Sequence, residues 1–158
     1  MFMYKLTQLV ILGGILLLTG CQRDDENYAP MPKRVYIVAK PAANATAFTN
    51  SASGSESVAN VFARVYVNVP YDYDVKVTFT LGGTAIPSED YKEPTPLEVT
   101  ILAGQHRADI GFTVIDDKIK EKAETVVINL ASAPEGFELG LGSAYGYKSY
   151  TYTIIDND

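Results

Sequence analysis

The sequence predicts an all-β domain, a seven-stranded antiparallel sandwich of two packed sheets. Three observations carry this. Apolar and polar residues alternate with period two through seven short runs between residues 34 and 158. Turn-forming residues separate the runs: Gly82-Gly83, Ala103-Gly104-Gln105, Pro134-Glu135-Gly136 and the glycine-rich stretch 136–146. No long segment repeats its apolar residues at the helical spacing. Strands with one apolar and one polar face need a second sheet to cover the apolar one, which makes the sandwich immunoglobulin-like. The chain has one cysteine and no tryptophan. The Cys–Trp–Cys framework of antibody domains is therefore absent, and other apolar packing must hold the sheets together.

Taken in order, VYIV at 35–38 is the first expected strand. ANVFARVYVNV places Val61, Ala63, Val65 and Val67 on one face and Phe62, Arg64, Tyr66 and Asn68 on the other. DVKVTFTL turns Val75, Val77, Phe79 and Leu81 inward. LEVTI alternates Leu97, Val99 and Ile101, and ADIGFTVI aligns Ala108, Ile110, Phe112 and Val114. TVVINL offers Val126, Ile128 and Leu130, and SYTYTII offers Tyr150, Tyr152 and Ile154. The segment PAANATAFTNSASGS between the first two runs shows no strand pattern and reads as a long insert.

Residues 1–20 stand apart from the domain. LVILGGILLL follows Lys5, the only charge there, and is too short to span a bilayer comfortably; it has the character of a signal-peptide core. LTGC then resembles a bacterial lipobox, in which the signal is removed before Cys21 and that cysteine is acylated. Asp24, Asp25 and Glu26 follow at once, similar to the acidic export signal of surface lipoproteins in Bacteroides-like bacteria. The expected organisation is a signal peptide at 1–20, a lipidated tether at 21–33 and one domain at 34–158. The resemblance implies an outer-membrane lipoprotein held by the lipid on Cys21 and displayed at the cell surface, with a periplasmic orientation as the alternative. Net charge is −6 for the whole chain and −7 without Lys5. Such a balance argues against nucleic acid and anionic lipid as partners.

From about 75 onward the chain resembles the Calx-beta domain. The matching stretches are VKVTFTLGGTA (75–85), SEDY (88–91), VTILAGQ (99–105), the run ending VIDD (114–117), Glu121 to Thr125 leading into VVINL, and TYTIIDND (151–158). ESVANVFARVYV also fits, with Glu56 where the family often has an acid opening a strand. The resemblance implies a sandwich with a calcium site among carboxylates at one end.

Strand parity reaches the same end without the family. If successive strands from residue 58 reverse direction, one end collects Glu56, Asp90, Asp116, Asp117, Glu121, Glu124, Asp156 and Asp158. Asp116 continues the inward register of Val114, and Asp156 that of Ile154. Like charges so gathered repel by about 1 kcal/mol per pair at about 4 Å even in water. Either a hard cation with oxygen ligands, as calcium takes, relieves this, or Lys118, Lys120 and Lys122 do so while the aspartates bind turn amides. The lysines, and Asn157 at a position where the family often has aspartate, favour a single weak site over a double one.

The opposite end carries Asp72, Asp74, Glu135 and Glu138, interleaved with Tyr71, Tyr73, Phe137, Tyr145 and Tyr147. Tyr71, Tyr73, Tyr145 and Tyr147 would suit sugar stacking, so glycan binding in a polysaccharide-uptake system is the alternative to an interaction or adhesion module. Catalysis is not expected. His106, the only histidine, falls in a turn far from the carboxylates, and a lone small sandwich seldom builds the cleft that paired acids need.

Overall fold

All seven expected runs form strands in the computed structural model, which describes residues 30–43, 45, 47–142 and 146–158. Three further strands join them, so the described residues hold ten: β1 (Lys33–Ala39), β2 (Ser51–Ser55), β3 (Asn60–Val67), β4 (Val75–Gly83), β5 (Tyr91–Lys92), β6 (Glu98–Ile101), β7 (Arg107–Val114), β8 (Glu124–Ser132), β9 (Phe137–Leu139) and β10 (Ser149–Ile155). A 3-10 turn at Glu56–Val58 precedes β3. Cys21, Asp24, Asp25, Glu26 and Tyr145 lie outside the described residues.

One sheet has the order β5-β7-β3-β1-β9 and the other β2-β10-β8-β4-β6. The sheets are mixed, not purely antiparallel: β9 pairs in parallel with β1, and β2 in parallel with β10. Both departures come from segments without alternation, whose pairing is set by where neighbouring loops deliver them. β1 begins at Lys33, inside the expected tether.

Period two fixes the core. Val61, Ala63, Val65 and Val67 of β3, with Ile110, Phe112 and Val114 of β7, face Val75, Val77 and Phe79 of β4, Val126, Ile128 and Leu130 of β8, and Tyr150, Tyr152 and Ile154 of β10. Phe112 meets Tyr152 edge to face across the sheets, with centroids 5.7 Å apart, and Tyr91 edge to face within its own sheet at 6.0 Å. Such pairs add about 0.5–1.5 kcal/mol beyond their buried area and stand in for the missing tryptophan. Leu97 departs from its expected inward place: it is 40% exposed, just ahead of β6.

The described part of the long insert is structured. It folds over the outer face of the first sheet, where Phe48 packs on Tyr66 at 5.5 Å and the Tyr147 hydroxyl donates to the Phe48 carbonyl at 3.1 Å. Val38, on the outward parity of β1, is fully buried there. The Ala39 amide donates to the Thr49 carbonyl, and the chain then passes into the second sheet as β2. Gly54 lets β2 lie against β10, because a Cβ there would collide with the Tyr152 hydroxyl.

Candidate metal centre

β7 stops at Val114, β8 starts at Glu124, β10 stops at Ile155, and the 3-10 turn leads into β3. The loops at these junctions carry the carboxylates. Their oxygens form two groups, each with atoms within 4.8 Å of one another: Glu56, Asp156 and Asp158, and Asp90, Glu121 and Glu124.

Glu56 is the buried member of the first group, 6% exposed, with no partner for Oε2. The turn that holds it is capped by Ser55, whose hydroxyl accepts the Ser57 amide at 3.3 Å. Burial raises the Glu56 pKa, and the charges of Asp156, Asp117, Glu121 and Asp116 raise it further. Asp156 is the reverse. Its two oxygens accept the Asp158 and Glu121 amides, each at 2.8 Å, and those bonds hold its carboxyl below the usual range. One group therefore contains a carboxylate fixed as an anion and another, with a bare oxygen, that resists being one.

In the second group the Asp90 carboxylate accepts the Ile86 amide, and the Asp90 carbonyl accepts the Ile115 amide at 2.8 Å, which ties the group to the end of β7. The Glu124 carboxyl is pushed up to about 7, first by its hydrogen bond to Asp90, then by burial and the Asp90, Glu121 and Glu56 charges. A carboxyl bonded to a carboxylate needs one proton between them, so this pair satisfies itself. Burial and the Asp90 charge also raise Glu121.

Asp116 and Asp117 border the groups without completing either. Asp117 Oδ1 accepts the Ile119 amide at 2.6 Å. Asp116 Oδ1 accepts from Asn157 Nδ2 at 3.3 Å, and Asn157 Oδ1 accepts the Ser55 hydroxyl and the Ser57 amide. The Ser57 N–H can only donate, so it fixes the orientation of the Asn157 amide and leaves Nδ2 facing Asp116. Asp116, placed on the core side by parity together with Asp156, is exposed; β7 has already ended, and alternation no longer dictates direction. Glu56 takes the inner place instead. Among the described residues none of Lys118, Lys120 and Lys122 forms an ion pair within 4.0 Å.

A bare buried oxygen beside two further carboxylates is a donor set suited to a hard cation. Glu56, Asp156 and Asp158 would hold it, with loop carbonyls and water filling the remaining positions.

At the opposite end Tyr71 packs on Tyr73 at 5.4 Å and edge-on to Phe137 at 5.0 Å. Lys33 donates to the Tyr73 hydroxyl at 3.0 Å and Tyr71 to Asn68 at 3.2 Å. These rings pack on one another. Tyr147 does not join them: its carbonyl accepts the Ile37 amide, midway along β1.

No protein-family model and no curated protein matches the sequence. Solved structures do match the fold. The apo-form Calx CBD1 domain superposes with a TM-score of 0.64 at 21% identity, covering 81% of this chain and all of that one. The calcium binding domain CBD12 of CALX1.1 gives 0.58 at 21% identity, covering 69% of this chain and 42% of that one. A two-domain protein of unknown function from Bacteroides fragilis gives 0.53 at 15% identity, covering 81% and 47%. At these identities the likeness is one of fold. The alternating runs and ordered turns that resemble a Calx-beta domain do build that fold: this chain folds as a Calx-beta-like sandwich.

Proposed function

We propose that this chain is a surface lipoprotein, anchored to the bacterial outer membrane through Cys21, whose Calx-beta sandwich is a calcium-stiffened interaction module without catalysis. The buried, unpartnered Oε2 of Glu56, set against Asp156 and Asp158, carries the calcium part of this reading. A charged oxygen left bare in that position costs stability that a shared cation returns. No lysine of the 118–122 loop forms an ion pair with a described carboxylate, and Lys120 acts on Asp156 only at longer range, which leaves Glu56 without a cationic partner. The ligands come from separate loops that only the folded chain assembles, so calcium binds the native state and stabilises it by mass action, by about 2.7 kcal/mol at a hundredfold excess over Kd. With so few carboxylates the affinity belongs to the weak extracellular range, about 0.1–1 mM. The test is a melting curve of the 22–158 fragment in EDTA and in several millimolar calcium, with magnesium and Asp72→Asn as controls. A calcium-specific rise, retained in Asp72→Asn, is expected. Identical melting with and without calcium refutes the proposal.

A further inference from the structure

The four strands at the sheet margins differ in how they are defended. Unpaired edges invite pairing with foreign strands, and proteins blunt them with shortness, charge or proline. β5 has two residues and β9 three. β6 has four, follows Pro94 and Pro96, and ties Glu98 to Lys76 at 3.1 Å. β2 has five, Ser-Ala-Ser-Gly-Ser, with neither charge nor proline.

Its register shows which groups are free. Asn50 accepts the Thr151 amide at 3.0 Å, so residues 52 and 54 turn their peptide groups toward β10. Ser53 then turns its N–H and C=O to the other side, where β2 pairs with no strand of the described residues. Beside that edge a cavity of about 380 Å³ opens, walled by Ala39, Ala42, Ala52, Ser53 and Phe62, and by Lys40, whose ammonium lies over the Phe62 ring and pairs with Asp109. Phe62 and Val58 are 42% and 49% exposed there. The other end of β2 runs into the acidic cluster: Ser55 bonds Asn157, which lies between Asp156 and Asp158.

We infer that the free edge of β2 docks an extended segment of a partner protein, added as a further strand, with a bulky apolar side chain in the cavity and a basic residue against the carboxylates. Free backbone groups bind main chain, and the cavity beside them selects the side chain, the two halves of recognition by strand addition. The acidic cluster supplies the charge preference. A second copy of this chain fits less well, because the small side chains of its own β2 leave the cavity unfilled. The inference rests on the interaction-module part of the proposed function and not on calcium, which would compete with the basic residue for the same carboxylates.

The experiment therefore runs in EDTA, where failure of the calcium reading has no effect. The probe is a fluorescein-labelled peptide, Lys-Thr-Val-Phe-Val-Thr-Lys, titrated with the full chain in mild detergent and followed by anisotropy. Saturable binding is expected below about 1 mM, at least about tenfold weaker when the peptide phenylalanine is replaced by alanine. Ser53→Pro removes only an outward N–H, so it should keep the melting temperature and lose binding at least about tenfold. Ala42→Phe, which obstructs the cavity, should do the same; if Ser53→Pro does not fold, this variant decides. No saturation, or full binding by either folded variant, overturns the inference. So does a sedimenting dimer that Ser53→Pro abolishes, since it would assign the edge to a second copy.

Discussion

Replacing Glu56 with glutamine keeps the shape of the side chain and removes its charge, and the structure sets opposite consequences for it with and without a cation. Glu56 lies within 4.8 Å, oxygen to oxygen, of Asp156 and Asp158. At that distance each ionised pair repels by about 0.9 kcal/mol in water and about 3.5 kcal/mol at an effective dielectric of about 20. Asp158 is exposed, which puts its pair near the lower figure, and Asp156 is only half-buried. Amide donors already spread the Asp156 charge. Once Glu56 is ionised, a net gain of about 1 kcal/mol or less for Glu56→Gln in chelator follows, or a few degrees in Tm for a domain of this size.

The pH dependence has a definite sign. The folded pKa of Glu56 is raised, so the native state binds its proton more tightly than the unfolded chain. In chelator, wild-type stability falls as pH rises from the ordinary glutamate value through the raised one, and the cost is complete above it. The advantage of Glu56→Gln disappears at lower pH, where Glu56 is protonated in both states. Saturating calcium reverses the order: wild type gains the binding free energy and the variant loses a ligand, so wild type should melt higher. Urea denaturation and thermal melts at pH 4 and pH 7, with EDTA or calcium, give the whole matrix. A variant that is less stable by the same amount in EDTA and in calcium would mean that Glu56 is a structural hydrogen-bonding group, and the cation argument fails.

The register of the core is open to a simpler test. Phe112, 4% exposed and touching both Tyr91 and Tyr152, should cost about 3–5 kcal/mol as Phe112→Ala in urea denaturation, while Tyr66→Ala, on the outward face, costs clearly less; equal losses would place the β7 register off by one residue. Anchoring is tested by Cys21→Ala, which should leave the precursor unprocessed and unlabelled by a clickable fatty acid; a labelled variant removes the lipoprotein assignment.

Alternation made β3, β7, β8 and β10 legible, because valine and isoleucine at every second position admit one buried face and no other periodic structure. The same logic was silent on β2, β5 and β9. β2 pairs through its backbone alone, and Ser-Ala-Ser-Gly-Ser offers no apolar residue large enough to set a face. β5 and β9 are too short to show a period. Parity gathers the acidic residues at one end but misorders them by depth. It extends to Asp116 a register that ends at Val114, and it treats Glu56 as a loop residue, whereas the turn after Ser55 carries Glu56 beneath the C-terminal segment. The visible signal was the capping serine followed at once by an acid in the first turn. Nothing in the sequence marks Asn157 as the clasp of Asp116, since that role needs the Ser57 amide to arrive from a residue a hundred positions away.

The two carboxylate groups resolve the same repulsion by different means, and the difference explains why one of them is the candidate for a cation. Between Asp90 and Glu124 a proton suffices, because each carboxyl can hydrogen-bond the other. Around Glu56 the balance differs. Two backbone amides favour the Asp156 anion, so neutralisation falls on Glu56, whose Oε2 has no donor to share. Glu56 must take up a proton or share a cation with Asp156 and Asp158. Proton and cation then compete for one oxygen set, and acidification weakens the cation's hold by the same linkage that stabilises the cation-free fold. The proposed module would then be stiff where calcium is plentiful and the medium near neutral, and would loosen as either condition is lost.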